Sequence, residues 1–187
     1  MSREIINTFI DLDETLIHTL GMVPFTKDRG HIELHEIEFK KPTPGEDYAD
    51  TPVKVVVVPY KATYYTVLRP GAKELLFALK EIGHVYMLTR AAKDYANTMN
   101  RVFNFGFTED KIFDREYVKN WKYKTPKLAK GKNFLIDDLD VQDNFEKIAF
   151  IKKYGTAEYI KVKEFDGYKG NGFTQSDLTD IINTIKS

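Results

Sequence analysis

The sequence predicts an α/β protein: a central, mostly parallel sheet with helices on both faces and a small β-rich flap after the first strand. Three observations carry this reading. Short β-rich runs alternate with stretches of helical pattern along most of the chain, the arrangement that builds a parallel sheet wrapped by crossover helices. One stretch, 20–66, breaks the alternation, lacks helical periodicity and carries two β-branched, aromatic runs, "VKVVVVPY" and "ATYYTVL". Finally, three runs end in polar residues: Asp11 and Asp13 after the first, Thr89 and Arg90 after the second, Asp137 and Asp138 after the third. Open α/β sheets bind ligands at the C-terminal ends of their strands, so these groups are expected to converge.

In order, "EIINTFI" (4–10) reads as the first strand, ending at Asp11. A polar Pro/Gly-rich loop, "KKPTPGEDYADTP", precedes the two flap strands, which a short turn separates. "RPGAKELLFALKEIG" places Pro70 and Gly71 before Leu75, Leu76, Leu79 and Ile82, the spacing of one helical face. "HVYMLT" is the next buried strand. "RAAKDYANTMNRVFNFGF" is helical, with apolar positions at Tyr95, Met99, Val102 and Phe103, and stops at Gly106. "KIFDREYVKNWKY" reads as strand-like, and "TPKLAKG" as a helix start with Thr125 as N-cap and Pro126 in the first turn. "NFLID" is a third core strand, "VQDNFEKIAFIKKYG" a helix, "AEYIKVK" a strand, and "TQSDLTDIINTIK" a closing helix capped by Ser176 or Thr174. The whole, 1–187, is expected to be one domain with the 20–66 flap inserted in it.

The 28 basic and 28 acidic side chains cancel, so no bulk field points toward nucleic acid or membrane. Cysteine is absent, which excludes disulfides, thiol nucleophiles and thiolate zinc sites. No apolar stretch approaches a signal or membrane-spanning segment, and a cytoplasmic location with no membrane partner is expected.

The aspartates define the chemistry. Asp11 and Asp13 would repel each other in a low-dielectric interior unless a cation or a reacting group compensates. Four carboxylates from two strand ends suit a hard dication such as Mg²⁺, and suit zinc poorly without histidine or cysteine ligands. Magnesium takes few carboxylates and prefers a substrate phosphate as a further ligand. With phosphate present, one carboxylate can attack phosphorus and its neighbour can move protons, while Thr89 and a lysine supply donors and positive charge.

"DLDETLIHT", Asp11 to Thr19, resembles the nucleophile motif of the haloacid-dehalogenase (HAD) superfamily, and within it the FCP/SCP-type phosphatases that act on the RNA polymerase C-terminal domain. "LRPGAKELL" with "MLTRAAKDYA" resembles that family's second-motif region, and "FLIDDLD" its acidic fourth motif; the likeness covers residues 4–185. It implies a Rossmann-like HAD fold and an Mg²⁺-dependent phosphatase. In that family's pattern Asp11 is the nucleophile that becomes an aspartyl-phosphate, and Asp13 is the general acid/base and offers its backbone carbonyl to the metal. Thr89 binds phosphoryl oxygens, and Asp138 is a metal ligand with Asp137 beside it. An acid at Asp13 argues against dehalogenase chemistry. The third-motif lysine is open between Lys119, in "YVKN" where the family shows "YVKD", and Lys124, directly before the Thr125–Pro126 helix start; Lys124 is preferred on the helix-start geometry.

Other residues have plainer readings. Asp140 and Asp143 read as loop or cap residues, His18 as a group packed behind the site, and Arg90, where the family carries a small residue, as a surface or substrate contact. Tyr60, Tyr64 and Tyr65 read as cross-strand packing or as an entrance lining. The run Lys119–Lys132 with Trp121 and Tyr123 reads as a solvated basic face or as a polyanion contact. The expected function is a phosphomonoesterase acting on a phosphorylated substrate: a phosphoprotein or nucleic-acid end, or alternatively a small metabolite or nucleotide. A non-catalytic phospho-partner binding module and a phosphotransferase are the rivals.

Overall fold

The structure is a computed structural model and describes residues 4–25 and 53–187. Its centre is a five-stranded sheet in the order β6-β5-β1-β7-β8, and every neighbouring pair is parallel. The strands are β1 (Ile6–Ile10), β5 (His84–Leu88), β6 (Ile112–Phe113), β7 (Gly131–Asp137) and β8 (Gly155–Lys161). A second, antiparallel sheet in the order β2-β4-β3 is built from β2 (Ile17–Pro24), β3 (Lys54–Val58) and β4 (Ala62–Leu68). The "KKPTPGEDYADTP" loop lies outside the described residues.

Side-chain alternation along the central strands divides the interior into two layers. Ile10, Val85, Met87, Phe134 and Ile136 face α1 (Ala72–Ile82), α2 (Lys93–Phe103) and α5 (Gln175–Lys186), which contribute Leu75, Leu79, Met99, Phe103, Ile181 and Ile185. Phe9, Tyr86, Leu88 and Leu135 face the other way, onto Val118 of α3 (Arg115–Lys119) and Phe150 and Ile151 of α4 (Phe145–Ile151). The small sheet joins the first layer through Val56 and Val58, which are fully buried. Strand β1 runs at the centre, and the chain fills the β5-β6 side before crossing to β7 and β8. That reversal opens a crevice at the C-terminal ends of the central strands, where α/β sheets bind ligands.

Local sequence explains the boundaries. Gly71 starts α1 with φ 81, and a Cβ there would stand 2.7 Å from the Phe173 carbonyl oxygen, so the "RPG" turn needs glycine for conformation and for space. Helix α5 is capped by Thr174, rather than Ser176, through a reciprocal capping box with Asp177. Two expectations are corrected. "KIFDREYVKNWKY" pairs only at Ile112–Phe113, because Asp114 accepts a hydrogen bond from the Glu116 amide and starts α3. "TPKLAKG" forms no helix: it runs as irregular chain into β7, its Ala129 carbonyl accepting from the Asn7 side chain and Leu128 tucked against the second layer.

Among the described residues, no helix is long and apolar enough to cross a membrane.

Candidate active site

Asp11 extends the pairing of β1 by one residue, its amide bonding the Ile136 carbonyl at 3.0 Å. Alternation turns its side chain to the face of Phe9 and Leu135, and the in-register neighbour of Asp11 on that face is Asp137 at the end of β7. Like charges set opposite each other on neighbouring strands are destabilising. Lys147 of α4 resolves the conflict: only 1% exposed, it donates to Asp11 Oδ1 and to Asp137 Oδ2, each at 2.7 Å.

The chain beyond Asp11 turns sharply. Glu14 takes a left-handed conformation (φ 59), its amide bonds the Ile17 carbonyl at 2.8 Å, and the Leu16 and Ile17 amides close onto Leu12. This turn brings Asp13 to the same cavity from the opposite layer. There the Tyr95 hydroxyl of α2 donates to Asp13 Oδ1 at 2.6 Å, and a chain of hydroxyl contacts continues through Thr19 to Thr66. Thr15, in the same turn, donates to Asp138 Oδ1 at 2.9 Å, and its carbonyl accepts from the buried Arg69 guanidinium at 3.2 Å. Arg69 lies face-on to Phe173 at 3.8 Å, fastening the turn to the start of α5.

A cavity of about 520 Å³ opens above these groups, lined by Asp11, Asp13, Thr89, Arg90, Asp138 and Lys147 among others. Thr89 sits at the end of β5, nearly buried, with its hydroxyl accepting from the Ala91 amide. Arg90 donates to the Asp143 carbonyl and lies 3.8 Å from Glu146, tying the β5 end to the start of α4. Burial pushes the Asp11 carboxyl up to about 7, with Lys147 pulling against it and Asp137 adding to the rise. Asp13 is pushed up to about 6, again mainly by burial and against the Tyr95 hydrogen bond. Lys147 resists the lowering effect of its own burial because two carboxylates hold its proton, leaving it above the ordinary lysine range. Without a further cation the pocket thus carries more carboxylate than it can comfortably ionise.

One carboxylate oxygen from each of Asp11, Asp137 and Asp138 lies within 4.8 Å of the others, a grouping able to hold a metal ion. The donor set is all oxygen; the chain has no cysteine, and His18 bonds Glu14 at 3.1 Å and meets Phe165 edge-on. Such a set fits a hard divalent cation. Both Asp137 oxygens already have donors, Lys147 and the Leu139 amide. The Asp11 Oδ2 atom has no protein donor among the described residues, so Asp11 and Asp138 are the better placed ligands.

The structure brings Asp11, Asp13, Thr89 and Asp138 together around one cavity. Lys124 is elsewhere: it is exposed, its ammonium lies 5.4 Å over the Tyr117 ring, and it does not line the cavity, whereas Lys147 lines it and donates to Asp11. Lys119, the other candidate, is also exposed, at the end of α3. The physical reason is that the neutralising cation must approach the face shared by Asp11 and Asp137, which α4 covers. A signal was present in "NFEKIAFI": Lys147 stands three and four residues before Phe150 and Ile151, on the buried stripe of the helix. Tyr95 was legible only as an apolar position. Of the flap tyrosines, Tyr64 packs edge-on against Tyr95 at 4.8 Å, whereas Tyr60 is exposed beside Phe25.

A parallel sheet with a switch point, an aspartate pair in a tight turn after its central strand and an acidic pair on the next strand are the features of a phosphatase-type α/β site. The profile of the NLI interacting factor-like phosphatase family matches residues 8–140, more than half of the chain, and the protein belongs to that family. A search of curated protein sequences returned no significant match. Among solved structures, a variant of the fission yeast RNA polymerase II CTD phosphatase Fcp1 bound to beryllium fluoride aligns at 17% identity with a TM-score of 0.46. A second Fcp1 structure, described as an essential RNA polymerase II CTD phosphatase, aligns at 17% identity with a TM-score of 0.47. Each alignment covers 98% of this chain but only 50% and 49% of the respective Fcp1 chains, so this chain spans about half their length.

Proposed function

We propose that the protein is an Mg²⁺-dependent phosphomonoesterase that works through an aspartyl-phosphate on Asp11. The observation that carries this reading is the pairing of Asp11 with a buried lysine on one side and of Asp13 with a tyrosine hydroxyl on the other. Two neighbouring carboxylates in unlike environments suit unlike roles. Asp11, oriented by Lys147, attacks phosphorus; the new Asp11 O–P bond forms as the ester P–O bond breaks. Asp13 gives a proton to the leaving oxygen, then takes one from the water that cleaves the aspartyl-phosphate. Lys147 and the Thr89 hydroxyl steady the phosphoryl oxygens. The Asp11 and Asp138 carboxylates and the Asp13 backbone carbonyl would hold a dication, which would supply charge neutralisation for the phosphate.

Hydrolysis of p-nitrophenyl phosphate with Mg²⁺, and again after EDTA, tests this. Turnover is expected with Mg²⁺ and is expected to vanish on chelation and return on adding the metal back. Turnover that survives complete chelation would refute the metal dependence, and none from a folded protein would favour a phospho-ligand binding module. Adding an alcohol acceptor separates hydrolase from phosphotransferase.

Tyr95→Phe keeps the ring packed on Tyr64 and removes the hydroxyl, with its bond to Asp13 and its weaker contact to Thr19. A hydrogen bond to a charged group is worth about 1.5–3 kcal/mol, so kcat is expected to fall about tenfold or more with KM nearly unchanged. An unchanged kcat would remove Tyr95 from the positioning of Asp13.

A further inference from the structure

The segment from Tyr117 to Lys132 holds six lysines and no acidic residue, in a chain whose 28 basic and 28 acidic side chains cancel as a whole. Lys119, Lys122, Lys124, Lys127 and Lys130 are exposed, and among the described residues none of them pairs with a carboxylate. Rings are interleaved with this charge. Tyr123 is 83% exposed and Phe145 60% exposed, and Trp121 meets Phe145 edge-on at 6.2 Å. Lys122 lies 5.6 Å over the Trp121 ring. The backbone beneath is anchored: the Tyr123 and Lys124 amides both bond the Asn120 carbonyl at 2.9 Å, and Lys153 donates to the Trp121 and Lys124 carbonyls.

The strip also has a direction. Phe145 opens α4, two residues before Lys147 and two after Asp143, and both of those line the catalytic cavity. At the other end, the Ala129 carbonyl accepts from Asn7 near the start of β1, at the N-terminal ends of the strands. The strip therefore descends from the cavity rim along the α4 side. The lysines alone would suit any polyanion, and the exposed rings between them add a stacking surface. Single-stranded nucleic acid uses both, phosphates on the lysines and bases on the rings.

We infer that this strip binds single-stranded nucleic acid and leads a phosphorylated strand end into the Asp11 cavity. The delivery half rests on the phosphatase reading above; the binding half does not.

The test is fluorescence anisotropy with a labelled, hydroxyl-ended oligothymidylate of about 15 nucleotides, a length suited to one such surface, across a salt series. Wild type is expected to bind with strong salt dependence. The variant K122Q/K127Q/K130Q is expected to weaken binding about tenfold or more and to flatten the log–log salt slope by about 2, at about 0.7 for each phosphate left without its lysine. Tyr123→Ala is expected to weaken binding about fivefold or more, since stacking contributes about 1–3 kcal/mol per base, and to leave the slope unchanged. Absent binding at low salt, or an unaltered slope in the lysine variant, overturns the strip. Full binding by Tyr123→Ala together with displacement by an acidic phosphopeptide overturns nucleic acid in favour of a protein partner. The probe carries no phosphomonoester, so these arms decide the strip whether or not p-nitrophenyl phosphate is hydrolysed. For delivery, hydrolysis of a 5′- or 3′-phosphorylated oligonucleotide is expected to drop about tenfold in the lysine variant, in step with binding, while p-nitrophenyl phosphate turnover holds. A protein that turns over p-nitrophenyl phosphate but neither oligonucleotide overturns it.

Discussion

Lys147→Met is expected to abolish most phosphatase turnover and to destabilise the fold at the same time. Methionine keeps the length and packing of the side chain, so the change isolates the charge. Its loss leaves Asp11 and Asp137 opposed on neighbouring strands in a buried site, with the bridging ammonium and both 2.7 Å hydrogen bonds gone. Removing one partner of a buried ion pair costs about 3–5 kcal/mol. Removing a donor that meets developing phosphoryl charge costs about a hundredfold to a thousandfold in kcat. Denaturant unfolding and p-nitrophenyl phosphate kinetics read the two effects separately. Mg²⁺ is expected to recover part of the stability, because it neutralises the same carboxylates, and little of the turnover. The control is Lys124→Met, whose side chain lies over Tyr117 away from the cavity. If Lys124→Met is inactive and Lys147→Met active, the assignment of the site lysine is reversed.

Asp11→Asn and Asp13→Asn are expected to fail differently. Asparagine at position 11 cannot attack phosphorus, so turnover and the covalent intermediate should both vanish. The fold should persist, and with one fewer buried charge in the cluster the melting temperature should hold or rise. At position 13 asparagine cannot exchange protons, so kcat should fall about a hundredfold to ten-thousandfold. An activated ester such as p-nitrophenyl phosphate, whose leaving group needs little protonation, should still phosphorylate Asp11, so acid-quenched enzyme should retain label from a ³²P substrate. Label on Asp11→Asn, or equal activity in both variants, would rule out the nucleophile and acid/base roles assigned to these residues.

The fold was legible where a residue pattern and its burial agree. Leu75, Leu76 and Leu79 announced α1, and the β-branched runs at Lys54–Val58 and Ala62–Leu68 announced the small sheet. The readings failed between Lys111 and Lys130, where a side-chain cap at Asp114 outweighed the alternating pattern and tertiary contacts of Leu128 and Ala129 outweighed the helix signal of Thr125–Pro126.

By itself, the sequence determined which strand ends would carry the chemistry. Polar residues directly after apolar strands must lie at the C-terminal edge of a parallel sheet, so Asp11, Asp13, Thr89 and Asp138 were bound to meet. Only the tertiary structure decided which cation faces Asp11 and which donor holds Asp13. Both come from helices far away in the chain, Lys147 from α4 and Tyr95 from α2, and each is selected by the layer that covers its aspartate. Alternation assigns Asp11 and Asp137 to the α4 face, and the Glu14 turn carries Asp13 to the α2 side. Sequence distance carries no trace of that choice, because it is made by packing across the sheet.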